Sequence, residues 1–192
     1  MTTPWDALYA RGPLYHGPAP APWFAGELPP AAVVLDLGCG AGKSLRALRG
    51  AGPAWRLLGL DASVPGLRQA RAAAPVACAD AARLPLRAAS VDAVRIDFLL
   101  GHLDAAARAS CATEVERVLR PGGALEARAS ARGDLRDVAG ARARGGVMTH
   151  FFGEGELPSL FPRCPGEARI VERAVRFAPR PRRVAELRAR RA

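Results

Sequence analysis

Long apolar stretches are missing from this sequence. No run of about 18 or more apolar residues occurs, so no segment reads as a membrane-spanning helix. Residues Met1 to Asp6 lack a basic segment ahead of an apolar one, so the start does not read as a secretory signal. The four cysteines, Cys39, Cys78, Cys111 and Cys164, include no Cys-x-x-Cys pair and lie near no spaced histidine. That excludes the usual zinc spacings, and no metal is expected. Isolated cysteines fit reduced thiols. Together these absences predict a cytoplasmic protein. Lysine is also nearly missing: Lys43 stands alone, and arginine supplies the other basic side chains. No internal repeat is visible.

What is present suits one domain. The chain has 192 residues and is 49% apolar, enough to bury a core without a disulfide or metal staple. The formal net charge is +10. Such a charge suits attraction to nucleic acid. Here it is scattered along the chain rather than clustered, which fits an arginine-rich composition better than a binding footprint.

Residues 1–30 carry many prolines and the aromatics Trp5, Tyr9, Tyr15, Trp23 and Phe24. They read as an arm or lid, with one or two helical turns over Trp5 to Ala10. Residues 31–192 read as the main domain. There, short apolar runs alternate with helical patterns. Strands are expected at Ala32–Leu37, Trp55–Leu60, Pro75–Ala79, Val91–Ile96 and Ala124–Ala129. Helices are expected over Gly42–Arg49, closed by Gly50, from the Ser63 cap to about Ala73, and from the Asp104 cap to Leu119. Residues 130–147 form an Arg/Gly-rich loop. Glu154–Phe161 reads as a short helix and Arg169–Phe177 as a strand. The end, Arg182–Arg190, fits a helix, a basic tail or a last strand. The alternation predicts an α/β fold, a Rossmann-like three-layer αβα sandwich with a mostly parallel sheet covered by helices on both faces.

In such sheets ligands bind beyond the carboxyl ends of the strands. The first strand runs into Asp36-Leu37-Gly38-Cys39-Gly40-Ala41-Gly42. A dinucleotide site wants G-x-G-x-x-G, and here the third glycine comes one residue early. Asp36 would repel a pyrophosphate but suits a ligand carrying an ammonium and a sulfonium, which favours S-adenosylmethionine over NAD. Downstream, Asp61-Ala62 ends the second strand, where a carboxylate can accept both hydroxyls of a ribose. Asp80-Ala81 ends the third, where one can accept an adenine amino group. Asp97 follows the fourth.

These residues carry a resemblance. Val33 to Gly42 resembles the first motif of the class I S-adenosylmethionine-dependent methyltransferases. Asp61 is similar to their ribose-binding acid, and Cys78-Ala79-Asp80-Ala81 with Leu84-Pro85-Leu86 to their adenine-binding segment. Ser90-Val91-Asp92-Ala93-Val94 and Glu114 to Gly123 resemble two further motifs, with Val91 where the family usually has Phe. The resemblance implies seven strands, one of them antiparallel, and so favours a last strand at Arg182–Arg190. It also implies S-adenosylmethionine as cofactor, held by Asp36, Gly38, Cys39, Gly40, Gly42, Asp61, Ala62, Asp80, Ala81 and Asp97.

Methyl transfer from a sulfonium is an in-line displacement in which the protein chiefly positions and desolvates the partners. A hydroxyl or ammonium acceptor also needs a base. Ile96-Asp97-Phe98-Leu99 lacks the N/D-P-P-Y/F of enzymes acting on the exocyclic amines of bases. Cys111 falls mid-helix, where a small core residue is expected. Asp97 and His102 are the candidate catalytic residues, His102 also being a candidate for ordering its loop. His150 and Phe151 resemble a segment that walls the acceptor pocket in small-molecule members, the alternative being an aromatic core pair. Trp5, Tyr9 and Trp23 are candidate lid residues, with Tyr9 also at the pocket, or they simply pack the arm. His16 is given no role. A small-molecule acceptor is the leading expectation, with an RNA or protein methyltransferase or a non-catalytic cofactor-binding subunit as rivals. The oligomeric state is left open.

Overall fold

Short apolar strands separated by glycine and proline turns assemble into one sheet of seven strands. The computed structural model describes residues 3–12, 18–137, 147, 149–175 and 178–192. The elements run α1 (Pro4–Tyr9), β1 (Val33–Leu37), α2 (Lys43–Ala51), β2 (Arg56–Asp61), α3 (Val64–Ala70), β3 (Val76–Cys78) and β4 (Val91–Asp97). They continue with α4 (Ala105–Val118), β5 (Leu119–Ser130), α5 (Glu156–Ser159), β6 (Gly166–Arg173) and β7 (Arg182–Arg190). A 3-10 turn, Leu100–His102, lies between β4 and α4.

The strand order is β3-β2-β1-β4-β5-β7-β6. β1 pairs in parallel with β2 and β4, and the parallel ladder extends to β3 on one side and β5 on the other. β7 enters antiparallel between β5 and β6. It is the one antiparallel strand expected, and the Arg182–Arg190 segment is that strand. The order reverses between β2 and β4 at β1, which puts the ligand crevice at the end of β1.

Local chemistry sets the helix starts. The Ser63 hydroxyl accepts from the Gly66 N–H at 3.4 Å, and the Asp104 carboxylate from the Ala107 N–H at 2.8 Å. Several ends differ from expectation. α2 runs through Gly50 and stops at Gly52, because a Cβ at 52 would collide with the Trp55 ring whereas one at 50 meets open space. α3 stops at Ala70, ahead of the expected Ala73. α5 is a single turn, preceded by Gly155 at φ 74°. β5 starts at Leu119, so Pro121-Gly122-Gly123 lies inside it, with a register irregularity opposite Val91–Ala93. Phe177 of the expected sixth strand, residues 138–146 of the Arg/Gly-rich loop, and His16 lie outside the described residues.

The core has two parts. On one face Leu35, Leu37 and Leu60 pack with Cys111 and Val115 of α4 and with Phe152 and Phe161. On the other, Val34, Leu45, Leu48, Leu67 and Trp55 pack with Phe24 of the arm. Phe24 is wholly buried, a burial worth roughly 2–3 kcal/mol. Trp23 Nε1 donates to the Leu125 carbonyl at 3.2 Å, and the Arg190 guanidinium lies over the Trp23 ring.

The α2 side of the sheet is charged over β4, β5 and β7. Asp36, Arg95, Glu126 and Arg188 lie in register across β1, β4, β5 and β7. Two residues further along, Asp97, Arg128, Glu186 and Arg169 lie in register across β4, β5, β7 and β6. Arg95 is wholly buried, with Nε 3.4 Å from Glu126 and 3.1 Å from Asp97, and it donates to the Pro20 carbonyl. Helices are expected on both faces of the sheet; over this part the described residues place instead the non-helical arm residues Pro20 and Trp23. A charged surface offers nothing to the apolar stripe of a helix.

Candidate active site

The β1–α2 turn is shaped by glycine. Gly38, Gly40 and Gly42 adopt φ of 76°, 48° and 80°, a region that L side chains rarely enter. A Cβ at Gly38 would lie 2.8 Å from that of Leu99, and one at Gly40 would collide with the Tyr9 hydroxyl. The Gly38 and Cys39 N–H groups donate to the Leu60 carbonyl at 2.8 and 3.1 Å, which ties the turn to the end of β2. The Cys39 thiol is buried, and burial with the charges of Asp36 and Asp61 raises its pKa.

Asp61 completes that tie. One carboxylate oxygen accepts from the Gly40 N–H and the other from the Ser63 N–H, both at 2.8 Å. Burial raises its pKa against these two bonds. Each oxygen keeps a further lone pair for a ligand hydroxyl. Ser63 donates to Asp6 of α1 at 2.7 Å. Gln69 donates to the Tyr9 carbonyl, so α1 is fastened over α3 with the Tyr9 ring between Gly40 and Gly66. Ala62 and Asp80 are exposed at neighbouring strand ends, and Ala81 is buried beside Asp80. Asp80 accepts from the Ala82 N–H.

Two of the expected ligand carboxylates are placed otherwise. Asp36 is wholly buried under α2, because strand alternation turns it to the same face as Val34. Neither of its oxygens completes a hydrogen bond among the described residues. Burial, then the charge of Asp97, raises its pKa to about 8. Direct contact between Asp36 and a ligand is therefore corrected to action at a distance. Asp97 is heavily bonded: Oδ1 accepts from Arg128 Nε at 2.6 Å, and Oδ2 from Arg128 Nη2 at 2.8 Å, Arg95 Nε at 3.1 Å and Ser44 Oγ at 2.5 Å. Burial raises its pKa, but Arg128 and Arg95 outweigh burial and hold it ionised.

A cavity of about 700 Å³ opens beside the turn. Its walls run from Tyr9, Gly38, Cys39 and Ala41, past Asp97, Phe98 and His102, to Arg128 and Ser130 of β5 and Val184 and Glu186 of β7. Phe98, at φ 59°, holds a strained backbone directly after Asp97, and the Arg128 and Arg182 guanidiniums lie over its ring. His102 reaches the cavity from the 3-10 turn, with the Trp5 ring edge-on at 4.7 Å and Thr149 Oγ1 3.5 Å from Nδ1. His150 is turned elsewhere: its Nε2 lies 2.5 Å from Glu156, its ring packs on Phe152, and neither it nor Phe151 lines the cavity. Sequence reasoning missed Phe98, Ser44, Lys43 and the arginines at 128, 136, 173 and 182 that also line the cavity. Strand parity with Asp97 would have pointed to Arg128. Burial lowers the Lys43 pKa; the pull of Asp97 is opposed by the charges of Arg128, Arg182 and Arg46.

A methyltransferase domain family matches residues 34–123, from β1 into the start of β5. Those residues match a methyltransferase domain, and the fold is the one shared with S-adenosylmethionine-dependent methyltransferases of known structure. A crystal structure of an S-adenosylmethionine-dependent methyltransferase from Methanosarcina mazei is 22% identical and shares the fold at a TM-score of 0.72, over 88% of this chain and 97% of that one. One from Mesorhizobium loti is 22% identical, with a TM-score of 0.65 over 86% and 94%. A possible histamine N-methyltransferase from Thermotoga maritima is 17% identical, with a TM-score of 0.69 over 88% and 86%. No curated protein matches the sequence. No helix among the described residues is long and apolar enough to cross a membrane.

The methyltransferase domain match implies S-adenosylmethionine as the cofactor. The residues at the strand ends fit it. Three left-handed glycines leave the turn without a side chain at positions 38, 40 and 42, and Asp61 offers unspent acceptor capacity. The buried carboxyl of Asp36 adds negative potential beneath the turn when ionised.

Proposed function

We propose that the chain transfers a methyl group from S-adenosylmethionine to a small molecule held in the cavity. The observation that carries this reading is the continuity of one cavity from the glycine turn to the β5 and β7 residues, of a size typical of small-ligand pockets. When bound, S-adenosylmethionine supplies an activated methyl on a sulfonium sulfur. Gly38, Cys39, Gly40 and Gly42 present backbone to its methionine portion. Asp61 accepts from its ribose hydroxyls with Ala62 alongside, and Asp80 and Ala81 border the adenine. Asp97 positions Ser44 and Arg128 rather than taking a proton, since Arg128 and Arg95 hold it ionised. His102 is the group that accepts the acceptor's proton where one must leave. Tyr9 and α1, part of an arm over residues 1–30, act as a lid that excludes water. A cytoplasmic site for the reaction accords with four cysteines that form no disulfide.

The test has two stages. Asp61→Ala lowers affinity for S-adenosylmethionine by roughly 1.5–3 kcal/mol in calorimetry, because it removes hydrogen bonds to a charged group. Unchanged affinity refutes the role of Asp61. Wild-type protein with methyl-labelled cofactor and a metabolite extract then labels a small product. Label entering RNA or protein instead refutes the small-molecule acceptor, and no label in any class supports a non-catalytic subunit.

A further inference from the structure

The proposed reaction does not explain why the cavity is cationic. Lys43, Arg46, Arg128, Arg136, Arg173 and Arg182 line it against only Asp97 and Glu186. Arg128 is spent on Asp97. Arg136 and Arg182 are built differently. Both use Nε toward one carboxylate, that of Asp134, at 2.9 and 2.8 Å. Asp134 is wholly buried and also accepts the Arg136 and Arg183 backbone N–H groups. Burial raises the Asp134 pKa, but the Arg182 and Arg136 bonds outweigh burial and hold it ionised. Arg136 Nη2 donates to Ser130 at 2.6 Å, which fixes its fork at the end of β5. The Arg182 terminal nitrogens complete no hydrogen bond among the described residues. One buried anion therefore orients two guanidiniums, and a positive charge is left over at the cavity wall.

We propose that the methyl acceptor carries an oxyanion, a carboxylate or a phosphate, that docks on the Arg136–Arg182 pair with Asp134 as its positioning residue. This rests on the reading of the cavity as the acceptor site. A planar guanidinium held by Nε presents its remaining N–H groups as a fork that matches an oxyanion. In a partly enclosed cavity that attraction is screened less than on the open surface. The cofactor has a carboxylate of its own, and Lys43, directly after Gly42, is the cation adjoining the turn. The Asp134 pair sits instead on β7 and the segment after β5, among the acceptor-side walls. A polyanion such as RNA is disfavoured, because these cations line a cavity rather than an extended face.

The test uses full-length protein saturated with S-adenosylhomocysteine, so that the cofactor's carboxylate is already accommodated. Calorimetric titration with inorganic phosphate, benzoate and the neutral benzamide is expected to show binding of phosphate or benzoate and none of benzamide. Arg182→Gln and Arg136→Gln are each expected to weaken that binding about 10-fold or more, with S-adenosylhomocysteine affinity within about twofold of wild type. Asp134→Asn weakens it likewise, and Arg182→Lys restores part of it. Equal binding of benzamide and benzoate, no anion binding, or anion affinity unchanged in the folded Arg182→Gln and Arg136→Gln proteins overturns the proposal. So does an RNA oligonucleotide that binds more tightly than phosphate through the same two arginines. Failure of wild-type protein to bind S-adenosylhomocysteine is a separate outcome that strikes the cofactor reading itself.

Discussion

Replacing Asp36 by asparagine probes the free energy stored beneath the cofactor turn. Asp36 is wholly buried, without a completed hydrogen bond among the described residues, and its pKa is raised from 3.8 to about 8. The folded state therefore holds a proton that the unfolded chain releases between about pH 4 and pH 8. Stability contributed at this site is fullest below about pH 4, falls as pH rises through the window, and levels off above about pH 8. At about 1.4 kcal/mol per pKa unit, the cost at pH 7 is about 4 kcal/mol. Asparagine removes the titration but leaves an amide without partners, costing about 1–3 kcal/mol. The variant is thus expected to be more stable than wild type by about 1–3 kcal/mol at pH 7 and less stable near pH 4. Urea unfolding of both proteins at about pH 4.5, 7 and 8.5 measures this, and the stability difference should grow in the variant's favour with pH. A difference that is flat or shrinks with pH refutes the reasoning.

Two further substitutions address the chemistry. Gly40→Ala places a Cβ against the Tyr9 hydroxyl at φ 48°. It is expected to cost about 1–2 kcal/mol in stability and to weaken cofactor binding, read by thermal unfolding and calorimetry. Wild-type values in both would contradict the account of the turn. His102→Ala is expected to leave cofactor affinity intact and to slow turnover about 10²-fold. A near-normal rate would return His102 to ordering its 3-10 turn with Trp5 and Thr149.

The parts legible in the sequence are those fixed by near neighbours. The Ser63 and Asp104 caps and the glycine turn follow from local hydrogen bonding and glycine's backbone freedom, whereas strand β7 is favoured only through the family resemblance. What escaped depends on groups distant in sequence or on packing. Gly52 rather than Gly50 ends α2 because of a tryptophan ring folded over it. Asp36 looked like a strand-end ligand, but pleat parity and the cover of α2 bury it. His150 is claimed by Glu156 after the chain turns at Gly155. Asp134 and Arg182 lie 48 residues apart, by the numbering of their hydrogen bond, and meet only because β7 returns antiparallel beside β5. In a chain where arginine is the ordinary basic residue, composition gives no sign of which ones converge.

The two charged rows also act on how the sheet assembles. A one-residue slip between strands exchanges the faces and exposes the core, so hydrophobicity already forbids it. A two-residue slip preserves the faces, and apolar packing alone resists it weakly. Here that slip sets Asp36 against Asp97, or Arg95 against Arg128, between neighbouring parallel strands. Between β5 and β7 it sets Glu126 against Glu186 or Arg128 against Arg188, and between β7 and β6 Glu186 against Glu167 or Arg188 against Arg169. Like charges opposed across strands are destabilising, the more so where solvent is excluded. The charged rows, of which Asp97, Arg128 and Glu186 also border the cavity, thereby select one alignment of five strands over its nearest competitors.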